Sequence, residues 1–158
     1  MLRVDIRDLH RGPVRTVGEL SPEDPTFEGL GLTLVGPVSV HGQLQTTGED
    51  EYLWRGHIHG AIRGECRRCL TEVTDDVDIE VSAAVFTTDP DAADDADFYA
   101  LPERAAAVDV GAVVREELAL AVQAHLLLCR DDCAGLCPQC GADLNAGPCA
   151  CHVPAEPV

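Results

Sequence analysis

Apolar and polar side chains alternate most regularly in the middle of the chain. Tyr52, Trp54, Gly56, Ile58, Gly60 and Ile62 occupy every second position, and Val73, Val77, Ile79, Val81, Ala83 and Val85 run nearly as cleanly. A period of two puts one face of a segment in a core and the other in water, so both stretches read as strands. Upstream, residues 32–34 and 38–44 read as one strand broken or bulged at Gly36-Pro37. Residues 2–9 alternate Leu2, Val4 and Ile6 with Arg3, Asp5 and Arg7, which predicts a further half-buried strand. The even spacing of Arg3, Arg7, Arg11 and Arg15 also suits a helix face, but Gly12-Pro13 interrupts such a helix after two turns. Three long consecutive antiparallel strands form a meander. Gly56, Gly60 and Gly64 permit close approach and bending, so the sheet is expected to curl into a partial barrel.

The period changes after Asp109. Val110, Val113, Val114, Leu118, Ala121 and Val122 form an apolar stripe, predicting a helix capped by Asp109, running to about His125 and lying across one face of the sheet. Residues 88–97 carry five acids and read as a solvated loop, since they lack the glycine and terminal glutamate of a calcium-binding loop. From Cys129 onward, Leu136 and Leu144 are almost the only core-forming residues, so hydrophobic burial alone cannot fold the tail. The expected fold is α+β: a curled antiparallel β-meander or partial barrel packed by one main helix, with a small cysteine-rich, zinc-ribbon-like tail. The body is expected over 1–128. The metal-binding tail, 129–158, packs on it or next to it.

Cysteine spacing brings in the chemistry. Six of the eight cysteines lie between Cys129 and Cys151, and the other two form a C-x-x-C pair, Cys66 and Cys69, at the tip between two predicted strands. Eight thiols fill two four-thiolate zinc sites, and pairs separated by two residues are the usual half-site. Cys137 and Cys140, with Pro138 between them and Gly141 after, have the form of a zinc knuckle, and Cys149 and Cys151 follow a short loop later. The first assignment joins Cys137, Cys140, Cys149 and Cys151 in one site and Cys66, Cys69, Cys129 and Cys133 in the other. An alternative keeps one compact tail site from Cys133, Cys137, Cys140 and either Cys149 or Cys151, and His152 is a substitute ligand. Zinc, two per chain and structural, is the expected metal, with an iron–sulfur cluster the alternative. The N-terminus has no secretory h-region and no apolar run reaches membrane length. A cytoplasmic protein with reduced thiols is therefore expected, rather than a disulfide scaffold.

Charge narrows the partners. The formal net charge is −17, and all eleven basic residues are arginine. Eight thiolates add −8 and two Zn²⁺ add +4, which takes −17 to −21. Such a body repels phosphate at long range and attracts a basic protein. Arg63, Arg67, Arg68 and Arg130 flank the cysteine pairs and are candidate local RNA contacts, as is the arginine-rich stretch 3–15. His57 and His59 share a strand face without a carboxylate or thiol beside them and read as surface residues; His10, His41 and His125 are solitary. No nucleophile-elbow, metalloprotease, phosphate-loop or dinucleotide motif is present, so no enzyme and no small-molecule substrate are expected.

The segments GECRRCL at 64–70, VVREEL at 113–118 and CRDDCAGLCPQCGADLNAGPCAC at 129–151 resemble the YceD family, as do IRDL at 6–9 and RGP at 11–13. Members are described as large ribosomal RNA subunit accumulation proteins, often encoded beside a small zinc-ribbon protein of the large subunit. Some carry only the first C-x-x-C and lack the cysteine-rich tail. The resemblance implies a cytoplasmic ribosome-biogenesis factor that binds a large-subunit ribosomal protein, an rRNA precursor, or both. Two other classes compete with it: a zinc-ribbon protein acting directly on rRNA, and a thiol redox or zinc-sensing protein.

Overall fold

The computed structural model describes residues 2–92 and 94–151. In chain order the elements are β1 (Arg3–Asp5), α1 (Ile6–Leu9), β2 (Val14–Leu20), β3 (Thr33–Leu34), β4 (Val38–Thr46), β5 (Glu51–Glu65), β6 (Glu72–Thr87), β7 (Phe98–Ala100), β8 (Ala107–Asp109) and α2 (Gly111–Ala124). The main sheet has the order β2-β4-β5-β6-β7 and is not closed; the meander β4-β5-β6 is its centre. Short β3 pairs with the same side of β5 as β4 does, Leu34 opposite Ile62 and Ser39 opposite His59. The two are one strand interrupted at Gly36-Pro37, as the sequence predicts.

The core lies on one face of this sheet. Trp54 is fully buried and donates its indole N–H to Thr16 Oγ1 at 2.8 Å, which satisfies the one polar atom of the ring. Its ring fills the space over Gly42 and Gly56, where a Cβ would come within 2.7 and 2.6 Å of it. Helix α2 adds Val113, Val114 and Leu118, all fully buried. Its predicted cap holds in part: Val110 precedes the helix, and Asp109 Oδ1 accepts from the Gly111 N–H at 2.8 Å.

Three expectations need correction. The N-terminal strand stops at Asp5, whose carboxylate accepts from the Arg7 N–H at 2.8 Å and starts the four-residue helix α1. Alternation survives in the sequence, but the local cap wins over the strand. In β6, the inward phase is Val77 and Val81 and then Ala84 and Phe86, not Ala83 and Val85. Trp54 pairs with Ala84 and Gly56 with Val81, so β6 carries one extra residue there, and the bulge reverses the faces. Finally, the sheet is not wholly antiparallel. β7 adds to β6 in parallel, and β1 pairs with β8 in a separate two-stranded sheet. Each of these pairs spans only three residues, too few to leave a periodic signal.

Candidate metal centres

The β5–β6 hairpin ends in a knuckle. The Cys66 N–H donates to the Thr71 carbonyl at 2.8 Å, and the Leu70 N–H donates to the Cys66 carbonyl at 2.9 Å. The tail repeats the same pair of bonds: Cys137 N–H to the Ala142 carbonyl at 2.8 Å, and Gly141 N–H to the Cys137 carbonyl at 2.8 Å. In both turns the residue after the second cysteine is left-handed, Leu70 at φ 62° and Gly141 at φ 74°. This tight wrap turns both thiols of a pair to one side and aims backbone N–H groups at the sulfurs.

Each knuckle meets a second pair of thiols. The sulfurs of Cys66, Cys69, Cys129 and Cys133 all lie within 4.8 Å of one another, and so do those of Cys137, Cys140, Cys149 and Cys151. Two tetrads able to hold a metal ion are thus present, with the four-and-four grouping rather than one tail site. Cys129 and Cys133 are brought to the sheet tip by the chain leaving α2. The Arg67 N–H donates to the Leu127 carbonyl at 2.9 Å, the Leu136 N–H donates to the Arg68 carbonyl at 3.0 Å, and Arg68 Nη1 donates to the Cys133 carbonyl at 3.0 Å. His152 lies outside the described residues.

The donor sets fit a tetrahedral thiophilic ion. Cys66 and Cys133 sulfurs are 3.8 Å apart and those of Cys69 and Cys129 3.6 Å. A tetrahedron with metal–sulfur bonds of about 2.3 Å has edges of about 3.8 Å, whereas a disulfide needs about 2.05 Å. All eight cysteines are free thiols. Ionisation is also prepared unequally. Backbone N–H groups of Cys129 and Cys69 hold the Cys66 thiol down at about 6, and those of Cys140 and Gln139 do the same for Cys137. Their neighbours move the other way: Cys133 pushes Cys129 up to about 12, and Cys140 pushes Cys151 up to about 11. Without a cation a tetrad therefore keeps protons on some thiols, which a bound divalent ion would displace.

One residue that the spacing argument passes over links the two centres. Asn145 sits in the turn between Cys140 and Cys149, held by its N–H and Nδ2 to Asp143 Oδ1 at 2.9 and 2.8 Å. From there Nδ2 donates to Cys133 Sγ of the other tetrad at 3.4 Å, and this contact is the chief cause lowering that thiol. Asn145 Oδ1 accepts from the Ala134 N–H at 2.8 Å and Arg130 Nη2 at 2.7 Å. The D-x-N spacing of Asp143 and Asn145 marks the turn in the sequence, but nothing there tells which sulfur it reaches.

The flanking arginines differ in what they touch. Arg68 is engaged with backbone carbonyls, Arg130 with Asn145 and Asp132, and Arg63 with Glu72 at 3.8 Å. Of the four, Arg67 alone has no side-chain partner among the described residues. His59 pairs with Asp78 at 2.7 Å and His125 with Asp75 at 2.9 Å, while His41 stands opposite His57 in register. Among the described residues no other group of three potential ligands converges, and no helix is long and apolar enough to cross a membrane.

Comparison with known proteins points one way. The family model for the large ribosomal RNA subunit accumulation protein YceD matches residues 54–157. An uncharacterised protein of Mycobacterium leprae is 29% identical over 157 residues, which cover 91% of this chain and 68% of that protein. Uncharacterised proteins of Mycobacterium bovis and Mycobacterium tuberculosis are each 37% identical over 111 residues, covering 65% of this chain. The alignment spans only 49% of the length of those two relatives. No solved structure matches the chain.

Proposed function

The chain belongs to the YceD family, and from that membership we propose a non-enzymatic assembly factor for the large ribosomal subunit, built around two structural Zn²⁺ sites. Cys66, Cys69, Cys129 and Cys133 hold one ion and staple the tail, from 129 on, to the body, 1–128. Cys137, Cys140, Cys149 and Cys151 hold the other and order the tail itself. When bound, zinc supplies four strong bonds per site and no open coordination position, so it fixes shape rather than performing chemistry. The chain's own groups do the rest: knuckle N–H groups stabilise thiolate, and Asn145 orients Cys133.

The observation that carries the binding role is charge. A net −17 body, more negative once zinc thiolates form, favours a basic ribosomal protein over naked RNA. The engagement of Arg63, Arg68 and Arg130 with protein groups supports the same choice. The test uses the zinc-loaded full chain, with purified basic large-subunit ribosomal proteins in one arm and large-subunit rRNA fragments in the other. Salt-sensitive binding to a protein is the expected result. Binding only to RNA, weakened by Arg67→Ala and Arg68→Ala, would replace it with the direct RNA-binding reading. Two zinc per chain by elemental analysis is expected; rapid alkylation of any thiol in the zinc-loaded protein would argue for redox sensing instead.

A further inference from the structure

The face of the main sheet turned away from the core carries side chains that the metal centres do not use. Register sets them in two rows. Arg15, Gln43 and Arg55 stand opposite one another on β2, β4 and β5, with Ser82 of the β6 bulge beside Arg55. In the next row His41 stands opposite His57, and His57 opposite Glu80. All of these side chains are exposed, and they border an open concavity of about 830 Å³. None of the arginines flanking the cysteine pairs lies among them.

What sets the patch apart is that its basic groups are unengaged. Elsewhere Arg7 and Arg11 pair with Asp5 and Asp8, Arg115 with two carbonyls, and His59 and His125 with Asp78 and Asp75. The side chains of Arg15, Arg55, His41 and His57 make no hydrogen bond or ion pair among the described residues. They stay unpaired although the chain carries 28 acids against 11 arginines. Glu80 is the one carboxylate lining the concavity. Glu19 and Asp78 come one row further on, Asp78 held by His59. On the other side of the arginine row lie Gln45, Leu53 and Val85, all uncharged.

We propose that this sheet face binds a segment of single-stranded RNA, its phosphates on Arg15 and Arg55 and its bases stacked on His41 and His57. The inference goes beyond the protein-binding reading and does not depend on it. Guanidinium and imidazole groups are planar, so they offer bases a stacking surface, while Gln43 and Ser82 offer hydrogen bonds to base edges. An acidic peptide would use only the charges. A duplex needs an element that enters a groove, and an open face cannot enclose a free nucleotide. Arg15 and Arg55 are two strand spacings apart, roughly 10 Å, so one extended strand spans both. The net charge of −17 repels RNA at a distance, but salt screens that repulsion beyond about 8 Å and leaves the contact local.

The test titrates the zinc-loaded full chain into a short, labelled single-stranded RNA and reads anisotropy at low and at physiological salt. Two double variants alter the face: Arg15→Gln with Arg55→Gln, and His41→Ala with His57→Ala. Arg3→Gln with Arg104→Gln removes the same charge elsewhere, from arginines that also lack a partner among the described residues and lie outside the concavity. Each face variant is expected to lose about tenfold in affinity with zinc content and Tm unchanged, and the control to bind as the parent does. No saturable binding by the parent overturns the proposal while leaving the protein-binding reading intact. Equal losses in the control make the attraction one of overall charge and overturn it. So does an unaffected histidine variant, or binding of duplex RNA or polyaspartate as tight as that of the single strand. A fall in Tm that accompanies lost affinity makes these residues structural and overturns it too.

Discussion

The two cysteine tetrads share a knuckle but differ in what they join. One takes Cys66 and Cys69 from a hairpin tip and Cys129 and Cys133 from beyond the helix, and three of its four cysteines are buried. The other draws all its thiols from 137–151, and only Cys137 is buried. With the proposed ions bound, the first, which closes a long loop away from water, would be a staple of tertiary structure, and the second a local clasp with solvent at its edge. The same contrast appears at single residues. The clasp turns on glycine, whereas the staple turns on an exposed, strained leucine, Leu70.

Breaking one ligand in each site is the most forceful test of this contrast. Cys66→Ser should reduce zinc from two to one and lower the body's Tm by more than about 10 °C, because α2's exit loses its attachment to the sheet. Cys140→Ser should also leave one zinc, with the body's unfolding almost unmoved. Equal losses of Tm in the two variants would erase the distinction between staple and clasp. Without substitution, a colorimetric chelator should withdraw zinc in two phases of equal amplitude, the exposed tetrad about tenfold or more ahead of the buried one.

Asn145→Ala tests the link between the sites. Loss of the N–H···S bond to Cys133 should weaken zinc at the buried tetrad by about 10–100-fold, although the substitution lies in the loop of the exposed one. Faster release confined to the exposed site would show that the bond carries no coupling. Gly141→Leu should place the strain of Leu70 in the clasp and destabilise it by about 1–2 kcal/mol, read from the zinc-dependent melt of the tail.

The smallest effect concerns the approach to the staple. His125, just past α2, holds the Asp75 carboxyl below its usual range. A carboxylate whose pKa is lowered by folding stabilises the protein above the unfolded value of 3.8, and loses that contribution as pH falls through the folded value. Because the pair is half exposed, Asp75→Asn should cost less than about 0.5 kcal/mol at pH 7 in urea unfolding. The deficit should vanish once the pH is below the folded pKa of Asp75.

Much of this was legible in the sequence because it is periodic or local. Strands β5 and most of β6 follow from alternation, α2 from its apolar stripe, and the two knuckles from C-x-x-C spacing. The face reversal at Ser82–Ala83 was not, because a bulge depends on the partner strand, and β7 and β8 are too short for a period to show. The path of Asn145 to Cys133 was hidden for the same reason as the sheet face of Arg15, His41, Arg55 and His57: both depend on which surfaces the fold brings together.

By itself, then, the sequence determined the alternating core, the count and pairing of thiols, and an acidic charge no fold can alter. Only the tertiary structure decided which pairs share a tetrad, which tetrad is buried, and that Arg15, His41, Arg55 and His57, from three strands, share one sheet face. Spacing along a chain constrains its nearest neighbours. Contacts between residues sixty positions apart are set by sheet register and by how the helix exit packs against the hairpin tip.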